Sequence, residues 1–183
     1  MTRALRAVYR TLEQLSTTDE LTGLYNRRQF FSAFAAELKR VERSGQPLSI
    51  MILDVDHFKA FNDRYGHIKG DELLRGIGAF LSHRTRATDI AARYGGEEFV
   101  ILLPGVDETQ AQRKAESIRK EFEQTRFVGE AHPSLTISIG IANCPADGND
   151  VEELMKNADA ALYRAKREGR NKVMCATERA GVA

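Results

Sequence analysis

Apolar residues along the chain alternate between helical and strand spacing. A first group recurs every three or four residues: Phe30, Phe31, Phe34, Ala35 and Leu38. This spacing predicts a helix from Arg27 to about Arg43. The following run, PLSIMILDVD, is apolar at most positions, which predicts a central strand covered on both faces.

The middle of the chain predicts a pair of helices and then a hairpin. The segment HFKAFNDRYGHIKGDELLRGIGAFLSHRTR has the pattern of a short helix, a glycine-containing loop and a longer helix from Asp71 to about Arg84. TDIAARY and EEFVILLP have the pattern of two strands. Gly95 and Gly96 between them predict a two-residue turn, because glycine readily adopts the positive φ angles of a tight hairpin.

The C-terminal half predicts two more helices and two more strands. A charged amphipathic helix (DETQAQRKAESIRKEFEQ) precedes a strand (SLTISIGIA), a second helix (DVEELMKNADAALYRAKREG) and a short last strand (NKVMC). Helices interleaved with strands, two of which form an antiparallel hairpin, favour an α/β fold with a central mixed five-stranded sheet flanked by helices. Residues 17–176 are predicted to form this domain, followed by a tail at 177–183.

The N-terminal residues have a pattern of their own. Leu5, Val8, Leu12 and Leu15 form the seam of an amphipathic helix within residues 1–16. This helix is either part of a short coiled coil or a single helix that caps the domain. The segment STTDELTGLYNRR then predicts an irregular junction, so the compact domain is expected to begin near Thr17.

Composition narrows the possible function classes. Of 183 residues, 42% are hydrophobic and 29% are charged, and the net charge of +1 offers no general attraction to nucleic acid or membrane. The chain has no apolar run of about 18 residues and no signal-peptide pattern at its start. Cys144 and Cys175 are expected to be free thiols, which predicts a cytoplasmic location. The histidines lack the spacing of a zinc site, so a zinc enzyme is not expected.

Four carboxylates are the strongest candidates for chemistry. Asp54 and Asp56 lie two residues apart at the end of the first predicted strand, so they share a face. They are interpreted as metal ligands, as the N-cap of the next helix, or as one in each role. Glu97 and Glu98 join them if the hairpin is a neighbouring strand. Such a cluster requires a divalent cation or raised pKa values, and oxygen ligands without His or Cys favour Mg²⁺ or Mn²⁺.

Glu97 and Glu98 are expected to have different roles. Side chains alternate along a strand, so Glu97 and Glu98 project to opposite faces unless the tip of the hairpin is strongly twisted. An alternative interpretation is an ordinary tight turn, in which both glutamates face solvent or pair with Arg93.

No familiar phosphate-binding loop is present. The chain contains neither GxxxxGK[ST] nor a complete GxGxxG. Lys166 and Arg170 lie one turn apart near the end of a predicted helix. They are interpreted as cations that complement the helix dipole, or alternatively as phosphate-binding residues.

Five segments, in order, resemble the blocks of one family. They are DELTGLYNRR, LDVDHFKAFNDRYGHIKGDELL, RYGGEEF, LTISIGIA and ADAALYRAKREGRNKV. From about Thr18 to Val173 the chain therefore resembles the GGDEF family, the diguanylate cyclases, with Glu97 where the family has Asp or Glu. The resemblance implies a fold similar to nucleotidyl-cyclase and polymerase-palm domains. It also implies condensation of two GTP into cyclic di-GMP and two pyrophosphates.

The resemblance further implies roles for individual residues. Asp54, the carbonyl of Val55 and Glu97 would hold Mg²⁺ (or Mn²⁺), and Glu98 would be the second essential acid, which assists metal binding or activates the 3′-OH. The implied substrate contacts are Asn62 and Asp71 to guanine, Phe58 and His67 around the nucleotide, Gly95 and Gly96 beside the phosphates, and Lys166 and Arg170 as phosphate-binding cations. Each protomer would bind one GTP, so a homodimer is expected.

A second site is implied by the segment RATD. Taken alone, this segment is a polar loop after a helix. In the family, RxxD at this position binds the product cyclic di-GMP and inhibits the enzyme, so Arg86 and Asp89 are predicted to form an inhibitory site. Ser117 stands where many members have a further arginine, and Arg113 or Arg119 on the same helix could partly replace it.

Two other functions are kept as alternatives. A catalytically silent module would bind GTP or cyclic di-GMP and signal by contact, but the acids and glycines of the implied active site are all present, which favours an enzyme. A polymerase-like nucleotidyltransferase is disfavoured because the chain has no basic track for a nucleic-acid strand. The family usually joins this domain to an upstream sensor or receiver domain, so a longer parent chain is expected, which another segment could anchor to a membrane.

Overall fold

A computed structural model describes residues 17–129 and 133–177. The predicted helix with its seam of Leu5, Val8, Leu12 and Leu15 lies outside the described residues, as does nearly all of the predicted tail. Cys144 and Cys175 are free thiols, as expected. No helix within the described ranges is both long and apolar enough to cross a bilayer.

The order of helices and strands agrees with the prediction. The elements are α1 (Arg27–Ser44), β1 (Leu48–Val55), α2 (Phe58–Tyr65), α3 (His67–Arg84), β2 (Ile90–Gly95), β3 (Glu98–Pro104), α4 (Glu108–Gln124), β4 (Ile137–Cys144), α5 (Val151–Arg167) and β5 (Val173–Cys175). Three helices start at a short polar residue whose side chain accepts a backbone N–H of the first turn: Asn26 for α1, Asp107 for α4 and Asp150 for α5.

The five strands form one mixed sheet in the order β2-β3-β1-β4-β5. Only β4 and β5 pair in parallel, and the other three neighbouring pairs are antiparallel. Strand β1 lies at the centre and is buried along its whole length, as its apolar run predicted. The predicted fold class is therefore confirmed.

The alternation of side chains along β1 divides the core into two layers. Met51, Leu53 and Val55 pack in one cluster with apolar residues of α2, α3 and α4. Ile50 and Ile52 pack in the other cluster with residues of α1 and α5. Since side chains two apart share a face, the even-numbered residues at the end of β1 project toward α1 and α5.

The start of α3 differs from the prediction. The helix begins at His67 rather than at Asp71. The break from α2 lies at Gly66, which has φ 84°. Gly70 lies inside the helix rather than in a loop. A side chain at this position would collide with the amide of Asn62, so the glycine permits close packing of α2 on α3.

The tip of the hairpin also differs by one residue. Strand β2 continues through Gly95, and the two-residue turn consists of Gly96 and Glu97 rather than of the two glycines. The pairing shifts register between Arg93 and Gly95, so that Gly95 lies opposite Glu98. Gly96 carries the positive φ angle of the turn, at 49°.

Candidate active site

Two of the predicted acids lie opposite each other on neighbouring strands. Asp54 of β1 pairs in register with Glu98 of β3, so their side chains share the face that α5 covers. From α5, Lys166 places its Nζ 2.7 Å from Asp54 Oδ2. Glu97 lies in the turn, where its carbonyl accepts the N–H of Val55 at 3.3 Å. The two glutamates therefore have different positions, but the reason is that Glu97 lies in the turn and Glu98 in the strand, so the predicted alternation along a strand does not apply to Glu97.

The electrostatics of this face favour an additional positive charge. Burial raises the pKa of Asp54, Lys166 lowers it, and the charges of Glu97 and Asp56 raise it again, which leaves the pKa above its ordinary value. Burial and the charge of Asp54 likewise raise the pKa of Glu98, against the opposing effect of Lys166. A single lysine therefore does not balance the carboxylates gathered here.

The donor chemistry suits a hard divalent cation, although the side chains do not form a closed cage. Among residues 17–129 and 133–177, no three His, Cys, Asp or Glu side chains lie close enough together to hold a metal ion. Mg²⁺ is usually held by only one or two carboxylates, with water and substrate phosphate as its other ligands. Asp54 and Glu98, which lie opposite each other on β1 and β3, are two carboxylates of the kind that such a site uses.

Asp56 has a structural role instead of the roles proposed from the sequence. Its carboxylate accepts hydrogen bonds from Thr136 Oγ1 at 2.7 Å and Ser138 Oγ at 2.8 Å, and from the backbone N–H of Asn171 at 3.1 Å. It does not cap α2, because the N-cap residue is His57 and this cap has no side-chain hydrogen bond. The N-cap interpretation was therefore wrong, and Asp56 is committed to three donors away from the pair of Asp54 and Glu98.

Arg93 does not pair with the glutamates, as one alternative proposed. Its Nε and Nη2 donate to the carbonyl of Gly96 at 3.0 and 2.8 Å. The same guanidinium lies 3.4 Å from the carboxylate of Asp19 in the junction before α1. Burial raises the pKa of Asp19, but hydrogen bonds from Thr22 and the charge of Arg93 outweigh burial and lower it. The hairpin turn is thus fastened to the N-terminal junction, a contact that the sequence pattern did not indicate.

The predicted guanine-binding residues come together on α2 and α3. Asn62 packs against Gly70, and Asp71 follows it with an exposed side chain. Asn62 Oδ1 is buried and has no hydrogen-bond donor within the described part of the chain. His67 is exposed at the first residue of α3. Phe58 is only 8% exposed and belongs mainly to the core, so at most its edge can contact a base.

The predicted phosphate contacts surround the end of β1 and the hairpin. Gly95 and Gly96 are exposed, and a Cβ on either would meet no atom within 4 Å, so the backbone is open to a ligand. Lys166 does more than complement the helix dipole, because it forms an ion pair with Asp54. Arg170 is exposed in the loop after α5 and has φ 62°.

The RATD segment is a tight turn built around a buried aspartate. Asp89 Oδ2 accepts the N–H of Arg86 at 2.9 Å and lies 2.6 Å from Lys114 Nζ of α4. The Asp89 side chain is 1% exposed, whereas Arg86 is exposed. The sequence interpretation missed Lys114, although it precedes Ser117 by three residues and so lies about one helical turn away.

Of the two residues named as substitutes for the missing arginine, Arg119 is already bonded elsewhere and Arg113 stays a prediction. Arg119 donates to Glu116, Glu123 and Asn171, so its guanidinium is already committed away from Asp89. Arg113 is exposed on α4. Ser117 donates to Glu121 at 2.9 Å. The cation that contacts Asp89 is therefore Lys114 rather than Arg119.

Comparison with known proteins decides the family. Residues 16–172 match the family model for the diguanylate cyclase GGDEF domain. The chain belongs to the GGDEF family. The resemblance of the five sequence blocks is thereby confirmed, and the GGEEF segment lies within the matched residues.

Relatives of this GGDEF domain include named signalling proteins. Response regulator PleD of Caulobacter vibrioides is 41% identical over 164 residues, which cover 88% of this chain and 36% of PleD. Diguanylate cyclase DosC of Escherichia coli K12 is 42% identical over 156 residues, which cover 85% of this chain and 34% of DosC. The chain thus spans about a third of the length of these curated relatives.

A solved structure has the same fold. The GGDEF domain of DgcB from Caulobacter crescentus, in complex with c-di-GMP, has a TM-score of 0.81 and 35% identity. The similarity covers 88% of this chain and 96% of that one. The expected palm-like architecture of the GGDEF domain is therefore confirmed.

Proposed function

We propose that this GGDEF domain is a diguanylate cyclase that condenses two GTP into cyclic di-GMP and two pyrophosphates. The observation that supports it most is the pairing of Asp54 with Glu98 across β1 and β3, with Lys166 on the same face. Both carboxyls have raised pKa values even with Lys166 beside them, which suits a substrate that brings further positive charge, such as a cation–triphosphate complex.

Each residue has a chemical task in this proposal. Asp71 accepts from guanine N1–H and N2–H₂, and Asn62 donates to an acceptor on the base, so ATP would lose both pairings. Lys166 and Arg170 bind the phosphates, and the exposed backbone of Gly95 and Gly96 approaches them closely. Phe58 and His67 border the nucleotide from α2 and α3.

The acids hold the cation and the reacting hydroxyl. Asp54, the Val55 carbonyl and Glu97 would hold Mg²⁺ or Mn²⁺, and the chemistry such an ion would supply is polarisation of the α-phosphate and a lowered pKa for the ribose 3′-OH. Glu98 assists there as a second ligand or as the acceptor of the hydroxyl proton.

The reaction also requires two copies of the domain. One site binds one GTP, whereas the product joins two, so two domains must face each other across a two-fold axis. That arrangement brings each 3′-OH opposite the α-phosphate held by the partner. We propose a homodimer as the active species, in a parent chain with an upstream sensor or receiver domain. The two free thiols are consistent with a reducing cytoplasm as its location.

One assay tests the proposed activity. The protein is stripped of bound nucleotide, its dimer is isolated, and it is incubated with GTP and Mg²⁺ while products are followed by chromatography. We expect cyclic di-GMP and pyrophosphate in a ratio of one to two, no product from ATP, and no product with a chelator. A verified dimer that leaves GTP unchanged would instead favour the silent binding module.

We further propose product inhibition through the turn at Arg86. Arg86 is exposed and can bind a phosphate or a guanine edge of cyclic di-GMP, whereas Asp89 is buried and holds the turn that presents it. Arg86→Ala should raise the product concentration needed for half-inhibition without changing the initial rate. An unchanged inhibition curve would contradict the proposed site.

A further inference from the structure

The loop after α5 has an unusual backbone. Gly169, Arg170 and Asn171 are consecutive, and their φ angles are 108°, 62° and 47°. Residues with a Cβ rarely adopt such angles, and two in succession persist only where the surroundings hold them. The loop carries Arg170, one of the proposed phosphate-binding residues, so whatever holds the loop also directs that side chain.

Three hydrogen bonds to Asn171 hold this loop. Its backbone N–H donates to Asp56 Oδ2 at 3.1 Å. Its side-chain Nδ2 donates to Glu123 Oε1 at 2.9 Å, and its Oδ1 accepts from Arg119 Nη1 at 2.8 Å. Asn171 is thereby fastened to the end of β1 and to α4 at the same time. These four residues are called the Asn171 clamp below.

Two of the three partners of Asn171 in the clamp are themselves fixed, whereas the third, Glu123, is 46% exposed. Asp56 is 2% exposed and accepts from Thr136 and Ser138 at the start of β4. Arg119 is 13% exposed and also binds Glu116 and Glu123 on its own helix. Through Asp56 and Arg119, the clamp therefore joins the loop to positions that have little freedom to move.

The loop lies beside the proposed active site. Asp56 is two residues beyond Asp54, and Arg170 is four residues beyond Lys166, whose ammonium contacts Asp54. The N–H of Arg170 donates to the carbonyl of Ala165 at 3.0 Å, which joins the loop to the end of α5. The exposed side chain of Arg170 thus leaves the backbone close to the carboxyl end of β1.

We propose that Asn171 is a positioning residue. By its bonds to Asp56, Arg119 and Glu123, the Asn171 clamp holds Arg170 against the phosphates of GTP. This inference rests on the proposed function, because it takes the nucleotide as the ligand of Arg170. Asn171 itself does not touch the reacting atoms. Its side chain acts by fixing the left-handed backbone from which the guanidinium of Arg170 projects.

A double-mutant cycle tests the inference. Asn171→Gly keeps the N–H to Asp56 and tolerates positive φ, but it removes both bonds to α4. It should raise KM for GTP about fivefold and change kcat by less than twofold, since phosphate contacts are made before and during the reaction. In an Arg170→Met background, the same substitution should have no further effect on KM. Equal effects in both backgrounds would overturn the proposal.

A second variant and a binding measurement complete the test. Glu123→Ala removes one bond to Asn171 from a partly exposed position and should raise KM about twofold, whereas Lys120→Ala, an exposed control on α4, should have no effect. Calorimetry with a non-hydrolysable GTP analogue and Mg²⁺ repeats the cycle without turnover. If Asn171 and Arg170 are coupled in binding of the analogue but the wild-type dimer converts no GTP, the clamp is supported and the proposed cyclase activity is contradicted. Wild-type affinity of Asn171→Gly would contradict the clamp alone.

Discussion

Two buried aspartates in this domain each contact a lysine from a neighbouring helix. Asp54 lies 2.7 Å from Lys166 of α5, and Asp89 lies 2.6 Å from Lys114 of α4. The two ion pairs have nearly the same geometry, yet their surroundings differ. Asp54 has Glu98 directly opposite and Glu97 nearby, whereas Asp89 also binds the N–H of Arg86 within its own turn.

The difference separates a candidate binding site from an ion pair that holds a turn. The Asp89 side chain is 1% exposed and bonds within the fold, so its pair holds a turn. The Asp54 side chain is 10% exposed, its lysine is 33% exposed, and nearby carboxylates leave negative charge unbalanced. A buried aspartate–lysine pair therefore indicates a ligand-binding site only when neighbouring carboxylates leave negative charge that the lysine does not balance.

The largest expected effect comes from Glu98→Gln, which changes the carboxylate opposite the Asp54–Lys166 pair. The amide keeps the shape of Glu98 but removes its charge and its capacity to accept a proton. We expect kcat to fall about 10³-fold, in the range of general acid–base contributions, with Tm unchanged or raised. Chromatographic assays and thermal unfolding measure both. The exposed Glu152→Gln is the control, and retained turnover in Glu98→Gln would remove that residue from the chemistry.

The structural pair is broken by Lys114→Met. The substitution leaves the buried Asp89 carboxylate without its cation, so the free energy of unfolding should fall by about 2 kcal/mol. This is less than for fully buried pairs, because Lys114 is 19% exposed. Urea denaturation measures the loss. Arg113→Met on the same helix should stay within about 0.5 kcal/mol of wild type, and a similar loss in both variants would refute a specific role for Lys114.

The same substitution at the other pair should affect binding more than stability. Lys166→Met removes a proposed phosphate contact, so KM for GTP should rise about tenfold. Its loss of unfolding free energy should be smaller than that of Lys114→Met, because both partners of the Lys166 pair are more exposed. Steady-state kinetics measure KM for GTP, and urea denaturation measures the loss of unfolding free energy. A reversed order of stability losses would contradict the comparison.

The smallest effect is a dependence of stability on pH. The folded domain raises the pKa of Glu98 above its ordinary 4.5, so the folded state holds this proton more tightly than the unfolded chain does. The associated stabilisation is present below pH 4.5 and is lost as the pH rises through the folded pKa. With chelator present, the Tm of Glu98→Gln minus that of wild type should increase from pH 4 toward neutrality. A constant difference would show that Glu98 ionises normally.

Much of this architecture could be predicted from residue spacing. The apolar run from Leu48 to Val55 predicted a buried central strand, and the helical spacing around Phe34 predicted α1 closely. The hairpin turn was placed one residue early, because the register shift after Arg93 lets Gly95 pair as a strand residue. Such a shift depends on how neighbouring strands pair, which local patterns do not contain.

The candidate site was predictable in its residues more than in its contacts. Asp54 and Glu98 could be named from the sequence, but their pairing required the order of the strands. Asp56 could not be told from Asp54 by spacing, since only the distant Thr136, Ser138 and Asn171 assign it to the fold. Lys114 was missed because its partner Asp89 lies 25 residues away along the chain.

The contact between Lys166 and Asp54 affects the folding of the domain as well as its proposed ligand binding. Because a side chain of the protein already supplies positive charge to Asp54, we expect the domain to fold without a bound cation, which unfolding measurements in a chelator would check. Domains whose structure depends on a metal cannot do this, since their folding waits for the ion. Lys166 is in this sense a counter-ion built into the chain, and we expect the domain to fold before its substrate and cation are bound.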